Sequence, residues 1–383
     1  MPIYFILLPI ILLLLLIIFF YVRHRRKKLT ATCFQHYETL IPADATYCLK
    51  EFSPIEQREL NTLSRMNQLQ IKGIYLVHGT FVGDDPFDLT SLIEKAFPNL
   101  RTSVIATIKK QTRKGQNLVI GDFGNFHPNL IDELNETLKN TIPVNNFTWS
   151  SSNHHYARLK GAFELMRGLR ANQSPGDHLL LFGHSHAGQV FSLITQLCHQ
   201  KTISSQLQIV LVQAGYEKSE INDLIKFCKS LVFNFVTLGT PIRYEWKLSE
   251  KMTLTHFINH RGNIPQGGSV TSSFTTKSGD YIQQWAVAGS DIKSPVKMEQ
   301  GFNDELDLIL GTGNELSLLR KNIKFKKRLH NVGHHFLTDF KDNSKLPNSL
   351  LTIFGHAVYT KRECIYWILN ETLSHLHEEQ ESE

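Results

Sequence analysis

Cysteine is scarce in this sequence, and the few cysteines present have no paired spacing. There are five in 383 residues, an odd number, and no CxxC pair occurs. This argues against a disulfide framework and a structural zinc site, and it fits a reducing compartment best. There is also no internal repeat. With 42% hydrophobic and 20% charged residues, the composition is that of a globular protein rather than a disordered or fibrous one.

The chain also lacks the strongly basic surface typical of proteins that bind nucleic acids. Its formal net charge is only +6, and part of that charge comes from a single run at residues 23–28. A second basic stretch at residues 321–328 has a single aromatic side chain that could stack on bases. We therefore expect no nucleic-acid partner.

One long apolar run does occur, close to the N-terminus. Residues 3–22 are apolar except for two tyrosines near the ends, and about 20 such residues in a helix span a hydrocarbon core of roughly 30 Å. The pattern predicts a transmembrane helix within residues 1–22. Basic residues follow the run instead of preceding it, which disfavours a cleaved signal peptide. The positive-inside rule then predicts that the rest of the chain is cytoplasmic.

The alternative is a signal sequence that is removed, which would leave a secreted protein. Three glycosylation sequons, at Asn135, Asn146 and Asn370, would then matter. The apolar run contains no GxxxG motif, so it does not indicate a protein partner in the membrane. The bilayer itself is the partner that the sequence predicts.

Beyond residue 70, short apolar runs alternate with amphipathic segments. Residues 23–70 form a basic juxtamembrane segment with a lead-in helix starting at Pro54, residues 71–375 a single domain, and residues 376–383 an acidic tail. Within the domain we predict helices at 128–139 and 156–169. Predicted strands are 74–77, 103–108, 147–149, 178–182, 233–238 and 284–288. This alternation predicts an α/β fold with a mostly parallel sheet flanked by helices.

The most informative motif is a tight turn around Ser185. An apolar strand leads into Gly183-His184-Ser185-His186-Ala187-Gly188, and an amphipathic helix follows. A nucleophile elbow needs small residues two positions before and two after the serine, so that strand and helix can approach closely. Gly183 and Ala187 meet this need, although glycine is usual where Ala187 stands. Ser185 is therefore the candidate nucleophile, with the N–H of His186 as an oxyanion donor at the helix N-terminus.

Several motifs together resemble the α/β-hydrolase superfamily of lipases and esterases, over roughly residues 71–375. Besides the turn at Ser185 they are Val77-His78-Gly79-Thr80, Trp149-Ser150 and Leu238-Gly239-Thr240-Pro241, in the order the superfamily has them. The resemblance implies an α/β-hydrolase fold with a serine nucleophile. It also implies that Thr80 or Phe81, after the His-Gly pair, supplies a second oxyanion N–H. His78 is expected to order that loop.

In this superfamily the acid and then the histidine follow the serine along the chain. His356, in a glycine-flanked loop before a predicted C-terminal helix, is the expected base, and His334 and His335 are its competitors. Asp291, directly after the predicted strand 284–288, is the expected acid, with Asp339 and Glu245 as alternatives.

The expected function is that of a membrane-anchored serine hydrolase. It would cleave a carboxylic ester through an acyl-serine, and a lipid-derived substrate fits a site tethered near a bilayer.

No cofactor is expected. Histidine pairs occur without an HExxH motif, so no metal is expected either. The alternatives are an acyltransferase with the same triad, cleavage of thioesters or amides, and a catalytically silent domain that acts as a membrane-attached binding module. The long connection between Asp291 and His356 suggests a lid.

Overall fold

A computed structural model describes residues 37–38, 46–50, 59–79, 126–199, 202–259, 279–284, 293–311, 329–340 and 355–382. Within these ranges, no helix combines the length and the apolar character that crossing a membrane requires. The predicted transmembrane segment and the basic run after it lie outside them.

In the described part of the chain, seven strands form one sheet, and every neighbouring pair is parallel. From one edge to the other they are β4 (Val144–Phe147), β3 (Ile71–Val77), β5 (His178–His184), β6 (Val232–Leu238), β7 (Met252–Asn259), β9 (His334–Phe340) and β2 (Thr46–Lys50). Two short strands, β1 (Tyr37–Glu38) and β8 (Leu329–His330), pair with each other in antiparallel fashion.

Helices cover both faces of the sheet. In chain order they are α1 (Glu59–Gln68), α2 (Pro128–Thr137), α3 (His155–Asn172), α4 (Ala187–Cys198), α5 (Thr202–Gln213), α6 (Lys218–Cys228), the single turn α7 (Tyr281–Gln284), α8 (Lys297–Leu310) and α9 (Arg362–Ser382), with a 3₁₀ helix at Ala357–Thr360. Helices α3 to α6 pack on one face, and α1, α2 and α9 pack on the other.

Strand β5 shows why the sheet is buried on both sides. Successive side chains of a strand point to opposite faces, and here both sets are apolar. Leu179 and Leu181 join the cluster under α3 to α6, while Leu180 and Phe182 join the cluster under α2 and α9. An unbroken apolar run of this kind is typical of a central strand in a parallel sheet. Burial of both faces places β5 inside the sheet, between β3 and β6.

Histidine side chains cap the N-termini of two helices, α2 and α3. The side chain of His127 accepts the N–H of Asn129 at 3.2 Å ahead of α2, where Pro128 occupies the first turn. The side chain of His154 accepts the N–H of Ala157 at 3.2 Å ahead of α3. Both contacts satisfy N–H groups that have no partner within the helix.

The predicted α/β class with a parallel sheet flanked by helices is confirmed. Strands were predicted at 74–77, 178–182 and 233–238, and β3, β5 and β6 lie there. The predicted strand 147–149 overlaps β4 only at Phe147, and α2 ends at Thr137 rather than at residue 139. The lead-in helix is described only from Glu59, and the predicted strand 103–108 lies outside the described residues.

Two further expectations differ from the structure. The predicted strand 284–288 is wrong at its first residue, since Gln284 ends helix α7, and its other residues are not among those described. Strands β7 and β9 were not predicted, because histidines interrupt their apolar pattern. Part of the suggested lid belongs to the core, since Leu306 of α8 is buried and β9 pairs with β7. The acidic tail continues α9 as far as Ser382.

Candidate active site

Ser185 lies in the turn between β5 and α4, with its backbone in the left-handed region at a φ of 54°. A residue other than glycine pays of order 1–3 kcal/mol for a strained conformation of this kind, so the surroundings must hold it. Two hydrogen bonds do so. The N–H of Ser185 donates to the carbonyl of Leu238 at 2.9 Å, and the hydroxyl of Thr240 donates to the carbonyl of Ser185 at 2.8 Å. The turn is strained and held from β6, as a nucleophile elbow requires.

Small residues on both sides of the serine allow β5 and α4 to approach each other. A Cβ at Gly183 would lie 2.5 Å from the ring of Phe191. Ala187 is fully buried at the first position of α4. A Cβ at Gly188 would lie 2.2 Å from the hydroxyl of Thr240, the group that holds the turn. Close packing on the C-terminal side of the serine therefore demands glycine at position 188, and position 187 has room for alanine.

The end of strand β3 lies directly against this turn. A Cβ at Gly79 would be 2.7 Å from the Cβ of Ser185. The ring of His78 fixes the approach: its Nε2 accepts the N–H of Trp149 at 3.3 Å, and its Nδ1 donates to the carbonyl of Gly79 at 2.9 Å. Since Nε2 accepts, the proton is on Nδ1. The indole N–H of Trp149 also donates to the carbonyl of His78 at 2.9 Å. His78 is thus a structural residue that orders the loop.

His356 follows β9 in the chain, and a buried carboxylate holds its ring. Its Nδ1 donates to Oδ2 of Asp280 at 2.7 Å, and the side chain of Asp280 is fully shielded from solvent. The N–H of Asp280 donates to the carbonyl of Asn259, the last residue of β7, at 2.8 Å. Its Oδ1 accepts the N–H of Gln283 at 2.9 Å. Both carboxylate oxygens of Asp280 therefore have donors.

The same histidine is hydrogen-bonded to His184, the residue that precedes Ser185. Nε2 of His184 donates to the carbonyl of His356 at 3.0 Å, and the two ring centroids are 4.8 Å apart. Nε2 of His356 is buried and has no hydrogen-bond partner among the described residues. Because Nδ1 carries the proton that Asp280 accepts, Nε2 holds a lone pair that can take a proton.

Of the predicted site residues, the structure brings together Ser185, His356, His186, Gly183 and Ala187. His186 stands at the N-cap of α4. The predicted oxyanion donors Thr80 and Phe81 and the predicted acid Asp291 lie outside the described residues.

Sequence reasoning missed Asp280 because it missed β7. The signal was present as a period of two, with Met252, Leu254 and Ile258 apolar at alternate positions of the strand and His256 interrupting the series. A strand there would have directed attention to the carboxylates between it and His356. Among the alternatives considered, Glu245 forms an ion pair with Lys247.

The competing histidines lie elsewhere in the sheet. His335 belongs to a buried group with His256 and His330, which we call the histidine stack. The rings of His256 and His330 are parallel, with centroids 4.2 Å apart, and the ring of His335 is 4.9 Å from that of His256. His334 packs instead on His375 of α9, at 4.1 Å.

The histidine stack is held by neutral groups. His256 contacts the hydroxyl of Thr237 at 2.5 Å and the carbonyl of Val332 at 3.1 Å, and His330 contacts the carbonyl of Thr240 at 3.1 Å. Burial lowers the pKa of His256 well below its ordinary value, and the neighbouring histidines lower it further. Burial also lowers the pKa of His330, to about 4. These rings are neutral near pH 7 and act as packing groups.

Within the described ranges, no three histidine, cysteine or acidic side chains are grouped so that they could hold a metal ion. No protein family, curated protein or solved structure matches the chain.

Proposed function

We propose that this chain is a serine hydrolase of the α/β-hydrolase type that cleaves carboxylic esters through an acyl-serine intermediate. One observation carries the proposal: a serine sits in a strained strand-to-helix turn, and the residue before it is hydrogen-bonded to a histidine whose Nδ1 donates to a buried carboxylate. Ser185 is the nucleophile, His356 the general base, and Asp280 the residue that positions the base. These roles follow the chain order serine, acid, histidine.

The placement of the three residues supports this reading. Ser185 follows β5, Asp280 follows β7 and His356 follows β9. Since all these strands are parallel, the loops after them emerge at the same edge of the sheet. Ligands of open α/β proteins bind at this carboxyl edge, where the connections turn in opposite directions. From β5 the chain continues towards β6 on one side, while β3 and β4 lie on the other.

In the proposed reaction, Nε2 of His356 takes the hydroxyl proton of Ser185 as Oγ attacks the ester carbonyl carbon. The tetrahedral intermediate collapses when the C–O bond to the alcohol breaks, and the imidazolium returns the proton to the leaving alkoxide. Water then attacks the acyl-serine with His356 again as base, which releases the acid and restores the serine. Asp280 accepts the Nδ1–H throughout and stabilises the imidazolium.

Negative charge on the substrate oxygen needs donors that are already in place. The backbone N–H of His186 is proposed as one donor, because it lies at the N-terminus of α4, where the helix dipole favours an anion. Thr80 or Phe81 is proposed as the other, since Gly79 touches the nucleophile turn and His78 orders its carbonyl.

The apolar run at residues 3–22 and the basic run after it support a membrane tether with the domain in the cytoplasm. The sequons give a second argument. The amide of Asn135 accepts the N–H of Val144 at 3.0 Å, and that of Asn370 accepts the hydroxyl of Thr62 at 3.0 Å. Glycosylation of either asparagine would disturb a contact that ties two elements together. A tethered site near a bilayer favours a lipid-derived ester.

The proposal is tested by hydrolysis of nitrophenyl esters with short, medium and long acyl chains, using the full chain in detergent. We expect an initial burst of about one nitrophenol per chain with esters whose acyl-serine forms faster than it is hydrolysed. Ser185→Ala should abolish the burst. Ser204→Ala is the matched control, because Ser204 is also a buried serine, and its hydroxyl donates to the carbonyl of Leu197 and accepts from the side-chain amide of Gln208.

The burst also distinguishes the alternatives. A burst followed by slow turnover that an added alcohol accelerates indicates acyl transfer. A folded wild-type chain that gives neither a burst nor turnover with any ester contradicts the proposal and favours a silent binding module.

A further inference from the structure

Tyr359 contacts the same carboxylate oxygen as His356. Its hydroxyl donates to Oδ2 of Asp280 at 2.8 Å, and the backbone N–H of Asn259 donates to that hydroxyl at 2.7 Å. The phenol is fully buried. It lies three residues after His356, in the 3₁₀ helix that starts at Ala357. One short segment therefore carries both the base and a second donor to its acid.

Asp280 and Tyr359 can meet because the residue packed against both of them, Gly239, has no side chain. Gly239 has a φ of 60°, and a Cβ there would lie 2.5 Å from Oδ2 of Asp280 and 2.5 Å from the ring of Tyr359. Gly239 belongs to the Leu238-Gly239-Thr240-Pro241 motif of the sequence, for which the reaction itself gives no role. The motif lets the carboxylate and the phenol meet directly behind the nucleophile turn.

A phenylalanine would fill the same apolar space, so packing alone does not require the hydroxyl. That hydroxyl bridges the end of β7 and the carboxylate, and each of its contacts has good hydrogen-bond length. Burial raises the pKa of Tyr359 well above its ordinary value, and the negative charge of Asp280 raises it further. The phenol therefore keeps its proton and remains a donor at every pH at which the enzyme would work.

We infer that Tyr359 is a positioning residue that fixes Asp280 and shares its charge with His356, an inference that rests on the proposed hydrolase function. By donating to Oδ2, the phenol keeps the carboxylate in the orientation that the imidazole needs. It also withdraws negative charge from the oxygen that faces His356. Further titratable groups lie around His356 and Tyr359, which are themselves titratable. Within the described ranges they are His184 on β5, Asp280 ahead of α7 and Cys364 on α9.

The test is the pH dependence of the rate at which a fluorophosphonate labels Ser185 in the full chain. Tyr359→Phe should slow labelling roughly ten- to hundredfold, the range for a lost hydrogen bond to a charged group. It should also move the midpoint of the pH–rate profile to higher pH, because a carboxylate with one donor fewer stabilises the imidazolium better. A purely structural loss would reduce the labelled fraction and leave the midpoint in place.

Tyr366→Phe is the matched control, since Tyr366 is a buried tyrosine of α9 whose hydroxyl meets Thr137 at 3.3 Å. It should change neither rate nor midpoint. If Tyr359→Phe fails to fold, difluorotyrosine at position 359 keeps the ring and the hydroxyl while making a stronger donor. The midpoint should then move to lower pH.

The outcomes separate the two claims. Labelling of the wild type together with an unchanged rate and midpoint in Tyr359→Phe, or with no shift for difluorotyrosine, overturns this inference alone. A folded wild type that is not labelled at Ser185 overturns the proposed function and this inference with it.

Discussion

Two groups of buried histidines lie in the described part of the chain, and they differ in what their ring nitrogens contact. In the candidate site, His356 donates from Nδ1 to the buried carboxylate of Asp280, and its Nε2 has no partner among the described residues. In the histidine stack, both ring nitrogens of His256 form hydrogen bonds to neutral groups, and its ring packs against those of His330 and His335. Burial alone is common to both.

The difference shows that partners, rather than residue type, decide what a buried histidine can do. A carboxylate beside the ring accepts its N–H and orients it, whereas burial and neighbouring imidazoles lower the pKa of a ring such as that of His256. The first arrangement suits a group that takes and returns a proton. The second suits a group that stays neutral and fills space. Each of the following predictions tests one side of this contrast.

The largest expected effect is on activity when the two kinds of histidine are replaced. His356→Gln should lower the fluorophosphonate labelling rate by roughly 10⁵-fold or more, since loss of a triad base removes nearly all nucleophile activation. His330→Gln should leave the rate of the folded protein nearly unchanged. The labelling rates of the two variants are measured on protein whose fold has been checked by circular dichroism. Equal losses in both variants would erase the contrast.

The next effect concerns the acid. Asp280→Asn should slow labelling roughly 10⁴-fold, because an amide in place of the carboxylate no longer holds the imidazole in the useful tautomer. Asp291→Asn is the comparison, since Asp291 was the acid expected from the sequence. We expect that variant to keep the wild-type rate in the same assay. The reverse ranking would assign the acid to Asp291.

The histidine stack should make folding sensitive to acid. The pKa values of His256 and His330 are lowered in the folded chain, so below about pH 6.5 the unfolded chain binds protons that the folded chain does not. Stability therefore falls as the pH drops from about 6.5 towards the pKa of His330 near 4. Urea unfolding of wild type and His330→Gln at two pH values measures the effect. Between pH 7 and 5 the wild type should lose about 2 kcal/mol more than the variant. Parallel losses would contradict it.

The last prediction concerns the packing around the turn at Ser185. Gly183→Ala should lower the free energy of unfolding by about 1–3 kcal/mol, because the added methyl meets the ring of Phe191. Ala187→Gly should cost about 1 kcal/mol or less, since it removes one methyl at the start of a helix. Thermal unfolding ranks the pair. A larger loss in Ala187→Gly would show that packing on the C-terminal side of the serine depends on that methyl.

The sequence predicted the class of the fold and the turn at Ser185 because those features are local. An apolar strand, a tight turn with small residues and an amphipathic helix are adjacent in the chain, so their pattern is visible without tertiary contacts. His356 was chosen from its glycine-flanked loop, and it is the histidine that meets a carboxylate beside the turn.

Asp280 and Tyr359 could not be found in the same way. Asp280 is hydrogen-bonded to the end of β7, and β7 contains a buried histidine that disguises its apolar alternation. The role of Tyr359 depends on a hydrogen bond between residues 79 positions apart. Such pairings follow from the order of strands in the sheet, which short sequence patterns do not determine.

The site of covalent labelling tests whether Ser185 is an activated nucleophile. The detergent-solubilised full chain is treated with a fluorophosphonate, its intact mass is measured, and the adduct is located by peptide sequencing. If His356 activates Ser185, the wild type carries one adduct per chain, on Ser185, and this adduct is absent from Ser185→Ala and His356→Ala. A folded chain without an adduct, or with its adduct on another residue, would contradict this activation.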